Sequence, residues 1–177
     1  MSTKEEQGIG IKDQAAAILA GIIFIVQFFV FALNFNFQGN SMVTLIGWLL
    51  FIPSFLLIIL SRSSLKSNYE ACADGSTYLV QNDIYGQVRH PFSLGWCLLV
   101  IALAITSQFW FSTYLMILQI PLIVFDIICE EELNKQKFGP DYDRYQERVP
   151  MLNILVGIAR TRSRKTHVEL QNNESIS

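Results

Sequence analysis

AAAILAGIIFIVQFFVFALNFNF, residues 15–37, holds not one charged side chain. It lies within a charge-free gap that runs from Asp13 to Arg62, and a second such gap runs from Arg89 to Asp126. Each gap is far longer than the roughly 20 apolar residues with which a helix crosses a hydrocarbon core of about 30 Å. Backbone in hydrocarbon has to satisfy its own hydrogen bonds, and a helix does so within one segment. The sequence therefore predicts an all-α integral membrane protein.

The first span is about 15–37. It is too long for the apolar core of a secretory signal, and no small-residue cleavage site follows, so it reads as a retained helix. Gln38, Gly39, Asn40 and Ser41 make a polar turn, and a second span follows over about 42–60, with Pro53 expected to kink it. Residues 61–88 are polar and mixed, and predict a loop with short helical or extended pieces. Pro91 suits the first turn of a helix, where its fixed φ and missing N–H cost nothing. A third span is expected over about 91–105, a turn at Thr106, Ser107 and Gln108, and a fourth span over about 109–128. That last span continues into a charged helix over 130–138, stopped by Gly139 and Pro140. A short amphipathic helix carrying Tyr142, Tyr145 and Val149 then ends at Pro150. Residues 166–177 read as a disordered polar tail. The expected architecture is one domain over 1–177, with four transmembrane helices and a cytoplasmic cap of short C-terminal helices.

Neither turn contains Lys or Arg, whereas Lys4, Lys12, Arg62, Lys66, Arg89 and the Lys/Arg of the C-terminal third all fall at the other end. The positive-inside bias then predicts a multi-pass protein with both termini cytoplasmic. Hydrophobic residues make up 51% and charged residues 16%, against about 25% charged in soluble domains. Net charge is −2, so no basic excess points to nucleic acid. Cys72, Cys97 and Cys129 are odd in number and lack CxxC spacing, which argues against a disulfide framework and a metal centre. Gly8-x-Gly10 has no strand before it and makes no dinucleotide fingerprint. Arg160, Arg162, Arg164 and Lys165 form a basic cluster suited to anionic membrane lipids, each cation worth about 1 kcal/mol.

Two polar constellations carry the chemistry. The first is Leu79-Val80-x4-Tyr85-x3-Arg89-His90-Pro91-x3-Gly95. Arg89 and His90 immediately before a helix start place donors beside free backbone N–H groups, a natural anion site. The plainer alternative is that Arg89 reaches toward head groups and His90 caps the helix. The second is Glu130-Glu131-Glu132-Leu133-x4-Phe138-Gly139-x2-Tyr142-x2-Tyr145-x3-Val149-Pro150. Three adjacent carboxylates at the edge of the bilayer repel one another and suit a cationic ligand. The alternative is a solvated turn in which Glu131 pairs with Lys135 at i,i+4. Asp126, one turn before Glu130 on the same helix face, is an intramembrane carboxylate and so a functional candidate.

Together these constellations resemble the isoprenylcysteine carboxyl methyltransferases and their relatives, the phospholipid methyltransferases. The resemblance rests on RHPxxxG, a hydrophobic hairpin, then EExxL-x4-FG with two tyrosines and VP, over about 79–95 and 130–150. It implies S-adenosylmethionine as cofactor and methylation of a lipophilic acceptor drawn from the bilayer at the cytoplasmic face. It places Thr77, Tyr78, Leu79, Val80, Tyr85, Arg89, His90, Pro91, Phe92, Ser93 and Glu130 at the cofactor, and Asp126 at the substrate. The pattern departs from the family where Thr77 stands for His, Asp83 for Gly, Ser93 for an aromatic residue and Asp126 for the Arg of carboxylate-methylating members. A carboxylate acceptor would meet a like charge at Asp126, so an amine acceptor fits better, as in a phospholipid N-methyltransferase. Two other classes stay open. An NADPH-dependent membrane reductase shares part of the C-terminal pattern but would need further basic residues for a 2′-phosphate and usually more spans. A non-catalytic lipid-binding relative is allowed by the departures at Asp83, Ser93 and Asp126.

Overall fold

The computed structural model describes residues 2–34, 39–71 and 79–160, with side chains over 14–34, 39–67 and 79–160. Among the described residues every regular element is helical. These are α1 (Ser2–Asn34), α2 (Ser41–Ala71), a single 3₁₀ turn (Asp83–Gly86), α3 (Pro91–Ser107), α4 (Trp110–Phe138) and α5 (Pro140–Arg148). A further helical turn covers 154–160.

Three of these helices contain stretches long and apolar enough to cross a membrane: Gln14–Asn34, Ser41–Ser67 and Trp110–Phe138. The fourth apolar helix, α3, has 17 residues and rises only about 25 Å at 1.5 Å per residue. It is the inner helix. It packs mainly on α2 and also touches α1 and α4, while α1 packs chiefly on α4.

Polarity is arranged inside out. Ile18, Leu19, Ile22, Phe29, Leu49 and Ile117 point outward, while Gln27, Ser54, Ser61, Ser112 and Gln119 are fully buried. An outer surface of this kind is stable only where its solvent is hydrocarbon. The inner amides bond to one another, leaving only Gln119 Oε1 among them without a partner. Gln27 Nε2 donates to the Val100 carbonyl at 2.9 Å, and Gln119 Nε2 donates to Gln27 Oε1.

Small residues bring α2 and α3 together. A Cβ on Gly47 would stand 2.0 Å from Thr106 Oγ1, and one on Gly95 would stand 2.9 Å from the Ser54 carbonyl. Without lipid-excluded hydrophobic gain between helices, such close approach is what membrane packing depends on. At the end of α3, Gln108 takes a left-handed φ of 49°. Its side chain accepts from the Asn40 N–H at 3.0 Å and donates to the Asn40 carbonyl and Thr44 Oγ1. The two uncharged turns are thereby tied together at one end of the bundle.

Several expected boundaries move. The second helix does not give way to loop after residue 60 but runs on through Ala71. Ser61 there bonds back to the Ile58 carbonyl at 3.0 Å, satisfying its hydroxyl without breaking the helix. The first helix begins at Ser2 and ends at Asn34, and the third ends at Ser107. Gly139 stops α4 as expected: its φ of 52° is one that glycine reaches without strain, and Pro140 then opens α5. Cys72, Thr77, Tyr78, three of the four cations of the basic cluster (Arg162, Arg164 and Lys165) and the tail 166–177 lie outside the described residues.

Candidate functional site

The segment leading into α3 is anchored from three sides. Ser64 Oγ on α2 donates to Asp83 Oδ2 at 3.2 Å, and Tyr145 on α5 donates its hydroxyl to the Tyr85 carbonyl at 2.7 Å. Arg148 Nη2 donates to Gln81 Oε1 at 2.7 Å. The backbone N–H groups of Arg89 and His90 donate to the carbonyls of Pro150 and Met151, at 3.0 and 3.2 Å. The two constellations, about 40 residues apart in sequence between His90 and Glu130, are thus joined through main chain. Gly157 allows the last helical turn to lie against this segment, since a Cβ there would sit 1.6 Å from the Gln87 carbonyl. Asp83 has a φ of 52°, in the left-handed region that short polar residues tolerate best after glycine.

At the mouth of α3 sits a four-membered charge cluster. Arg89 Nη1 lies 2.8 Å from Glu131 Oε1. His90 places Nδ1 3.2 Å from Glu130 Oε2 and Nε2 3.2 Å from Glu131 Oε1. Gln146 on α5 donates to the other Glu131 oxygen at 3.2 Å. The His90 side chain does not cap α3; it spans two carboxylates instead. Burial alone would lower the His90 pKa, but the hydrogen bonds and charges of Glu130 and Glu131 outweigh it and hold it above the ordinary histidine value. With both ring nitrogens facing carboxylates, the doubly protonated ring is the form that satisfies the site.

Glu131, 14% exposed, is the central carboxylate of the cluster, paired with Arg89 and His90, while Lys135, offered by the helical spacing, adds a more distant favourable charge. Glu130, at 52% exposed, keeps a face toward the cleft. Arg89 is 10% exposed, and its Nη1 approaches Glu131 off the line of a hydrogen bond, while its Nε has no acceptor at all. A buried guanidinium nitrogen without an acceptor is costly unless something polar binds there. On α5, burial and the Glu131 charge push Tyr142 up to about 12, and burial pushes Tyr145 up as well. Both remain protonated donors.

Two cavities border this cluster, and a third adjoins the larger of them. The central cleft, about 590 Å³, runs between Arg62 and Lys66 on α2, Tyr85, Arg89 and His90, and Glu130 on α4. Its volume falls within the roughly 300–1,000 Å³ usual for cofactor sites. Toward α5 it continues into about 170 Å³ bounded by Leu79, Val80, Asn134, Phe138 and Tyr142. Toward the membrane body it continues into an apolar cavity of about 250 Å³, sharing Arg62, Phe92, Ser93 and Asp126 with the cleft.

The structure therefore gathers Leu79, Val80, Tyr85, Arg89, His90, Pro91, Phe92, Ser93, Glu130 and Asp126 around one connected space. Thr77 and Tyr78 fall outside the described residues. Arg62 and Lys66, expected only as cations that set the topology, also line the cleft, and Glu131, expected as one of three adjacent carboxylates or as a pair for Lys135, holds Arg89 and His90. The first two are the first cations after a charge-free span and point into the cleft because α2 continues as helix; Arg62 also stands 4.9 Å over the Phe92 ring. No protein-family model, curated protein or solved structure matches the chain.

Proposed function

We propose that this chain is a membrane-embedded methyltransferase that uses S-adenosylmethionine to methylate a lipophilic acceptor bearing an amine. The observation that carries this reading is the connected cavity: polar and charged beside α5, apolar beside α1, with Asp126 where the two parts meet. Such a space suits one polar and one lipophilic reactant approaching from different phases. The motif resemblance supports it, as does the left-handed backbone at Asp83, the position at which the relatives carry glycine.

The donor set fits the cofactor. S-adenosylmethionine brings an electrophilic methyl on a positively charged sulfur. The Glu130 carboxylate faces the cleft as a counter-charge for its cations, and the unsatisfied Arg89 Nε suits its carboxylate. Glu131 neutralises Arg89 and His90 from behind and keeps both on the wall. Asp126 draws an ammonium head toward the junction and is positioned to take its proton before it reacts. The remaining rate enhancement comes from holding the reactants together in a site that excludes water.

In this reading α3 is the fourth span, and the charged end with α5 faces the cytoplasm together with both termini. Single cysteines at Asn40 and Ser177 in a cysteine-free background should label from opposite sides.

A nicotinamide-dependent membrane reductase is the second reading, favoured by Arg62 and Lys66, two cations in the cleft that suit a phosphate. Calorimetric titration of purified protein with S-adenosylmethionine and with NADPH separates the two. Binding of the former, with labelled methyl appearing in an amine lipid of a total lipid extract, is the expected result. NADPH binding alone overturns the proposal.

A further inference from the structure

The connected space ends in an apolar cavity whose wall on α1 is unlike the rest of that helix. Ala17, Ala20 and Gly21 line it, opposite Trp96 on α3 and Ile123 on α4. One turn further along α1 the small residues give way to Phe24, which packs on Trp96 with ring centroids 4.5 Å apart. The helix glycines of this protein divide sharply. Gly47 and Gly95 are demanded by neighbours that a Cβ would strike, whereas a Cβ on Gly21 would meet nothing within 4 Å. Gly21 has no left-handed φ either. Glycine is among the least favourable residues in a helix interior, and neither backbone nor packing requires it here. What it does is leave volume empty beside the cleft.

That volume has a polar neighbour. Arg62 and Asp126 stand at the boundary shared with the cleft, whose wall carries the nine-tenths-buried Arg89 with its Nε unsatisfied. A ligand that fills both parts has a charged head and an apolar chain. The cavity is also reachable from the side: α1 packs on α4 and α3, α2 packs on α3, and α1 and α2 are scarcely in contact. Ala17, at the edge, is exposed.

We infer that the α1 cavity holds the first part of the acceptor's hydrocarbon chain, and that Gly21 sets the width of chain admitted. The inference rests on the reading that the protein acts on a lipophilic acceptor, and it names the subsite that selects it. An amphiphile lies with its amine at Asp126 and its chain along Ala17, Ala20 and Gly21, in van der Waals contact with Trp96.

Trp96 reports occupancy directly. With Trp48→Phe and Trp110→Phe it is the sole tryptophan, and a long-chain amine brominated along its chain quenches it on contact. In detergent, quenching is expected to saturate, to be reversed by the unbrominated amine, and to be weaker for a brominated alcohol of equal length. Gly21→Phe, and Ala17→Leu as a second and milder filling, should each raise the amine concentration for half-quenching at least tenfold while S-adenosylmethionine affinity stays within twofold. Equal quenching in the parent and both variants overturns the inference. If the parent methylates a lipid extract and both variants do so with the same chain preference, the subsite is wrong and the methyltransferase reading stands. Amine-selective quenching lost in the variants, without methyl transfer by the parent, leaves the subsite standing and removes the methyltransferase reading.

Discussion

The bundle buries two polar networks, and they solve the same problem in opposite ways. Deep among the helices, Gln27, Ser112 and Gln119 are neutral and bond to each other and to backbone carbonyls. At the mouth of α3, Arg89, His90, Glu130 and Glu131 are charged and pair two against two. The neutral network leaves one buried amide oxygen, Gln119 Oε1, without a partner, and none of its members lines the connected cavity. The charged one opens onto the cleft, with one carboxylate half exposed and two guanidinium nitrogens, Arg89 Nε and Nη1, making no hydrogen bond. Neutral amides hold helices in register at modest cost; charges repay burial only when fully paired. Both networks hold an unpaired buried atom, so what marks the charged cluster as a candidate binding site is that its incompletely bonded cation stands on the wall of a cleft.

The largest effect expected from this contrast comes from Glu131→Gln. It strips both Arg89 and His90 of their shared counter-charge, and breaking a buried pair in this way costs about 3–5 kcal/mol. Unfolding in detergent should show it, and a loss under 1 kcal/mol would mean that water already screens the cluster.

Next comes ligand affinity at the open edge. Glu130→Gln should weaken S-adenosylmethionine binding about 10- to 100-fold, as expected for a charge-assisted bond worth about 1.5–3 kcal/mol. Glu132→Gln should leave binding unchanged, since Glu132 is exposed and bonds Gln136 on its own helix at 3.3 Å. Equal losses in calorimetry would remove the distinction between them.

Gln27→Leu tests the neutral network. Interhelical hydrogen bonds in membranes average about 0.6 kcal/mol and reach about 1.7, so destabilisation should stay in that range with cofactor affinity unaltered. A large loss of affinity would connect the two networks and break the comparison.

The smallest effect is a pH dependence confined to the charged network. The folded-state pKa of His90 is raised, chiefly because hydrogen bonds to Glu130 and Glu131 overcome the opposing pull of burial. Its contribution to stability is complete below the ordinary histidine value of 6.5 and is lost as pH rises through the raised folded value. Unfolding midpoints should therefore fall across that alkaline side in the parent and in Gln27→Leu, and lose this slope in His90→Gln.

Much of the architecture was legible from charge alone. The gaps from Asp13 to Arg62 and from Arg89 to Asp126 mark the apolar helices, and Gly139 with Pro140 marks the end of α4. Helix extension through 61–71 was not legible, because Ser61 and Ser64 look like loop residues until their hydroxyls are seen bonded to carbonyls or to Asp83. That extension is what carries Arg62 and Lys66 into the cleft. Glu131 was obscured for a similar reason: helical spacing offered Lys135, and only a contact partner 41 positions away shows it to be the centre of the cluster.

Sequence by itself determined the periods and the phases: apolar helices with uncharged turns, and two polar segments carrying Arg89, His90 and Glu130. Those features are local, since hydropathy and charge act residue by residue along the chain. Tertiary structure alone decided that α3 is the inner helix, that Gly47 and Gly95 serve contact while Gly21 leaves space, and that Glu131 faces inward. Each of these depends on which atoms meet across helices far apart in sequence, where sub-ångström clearances and the pairing of buried charge choose among arrangements that composition leaves equal.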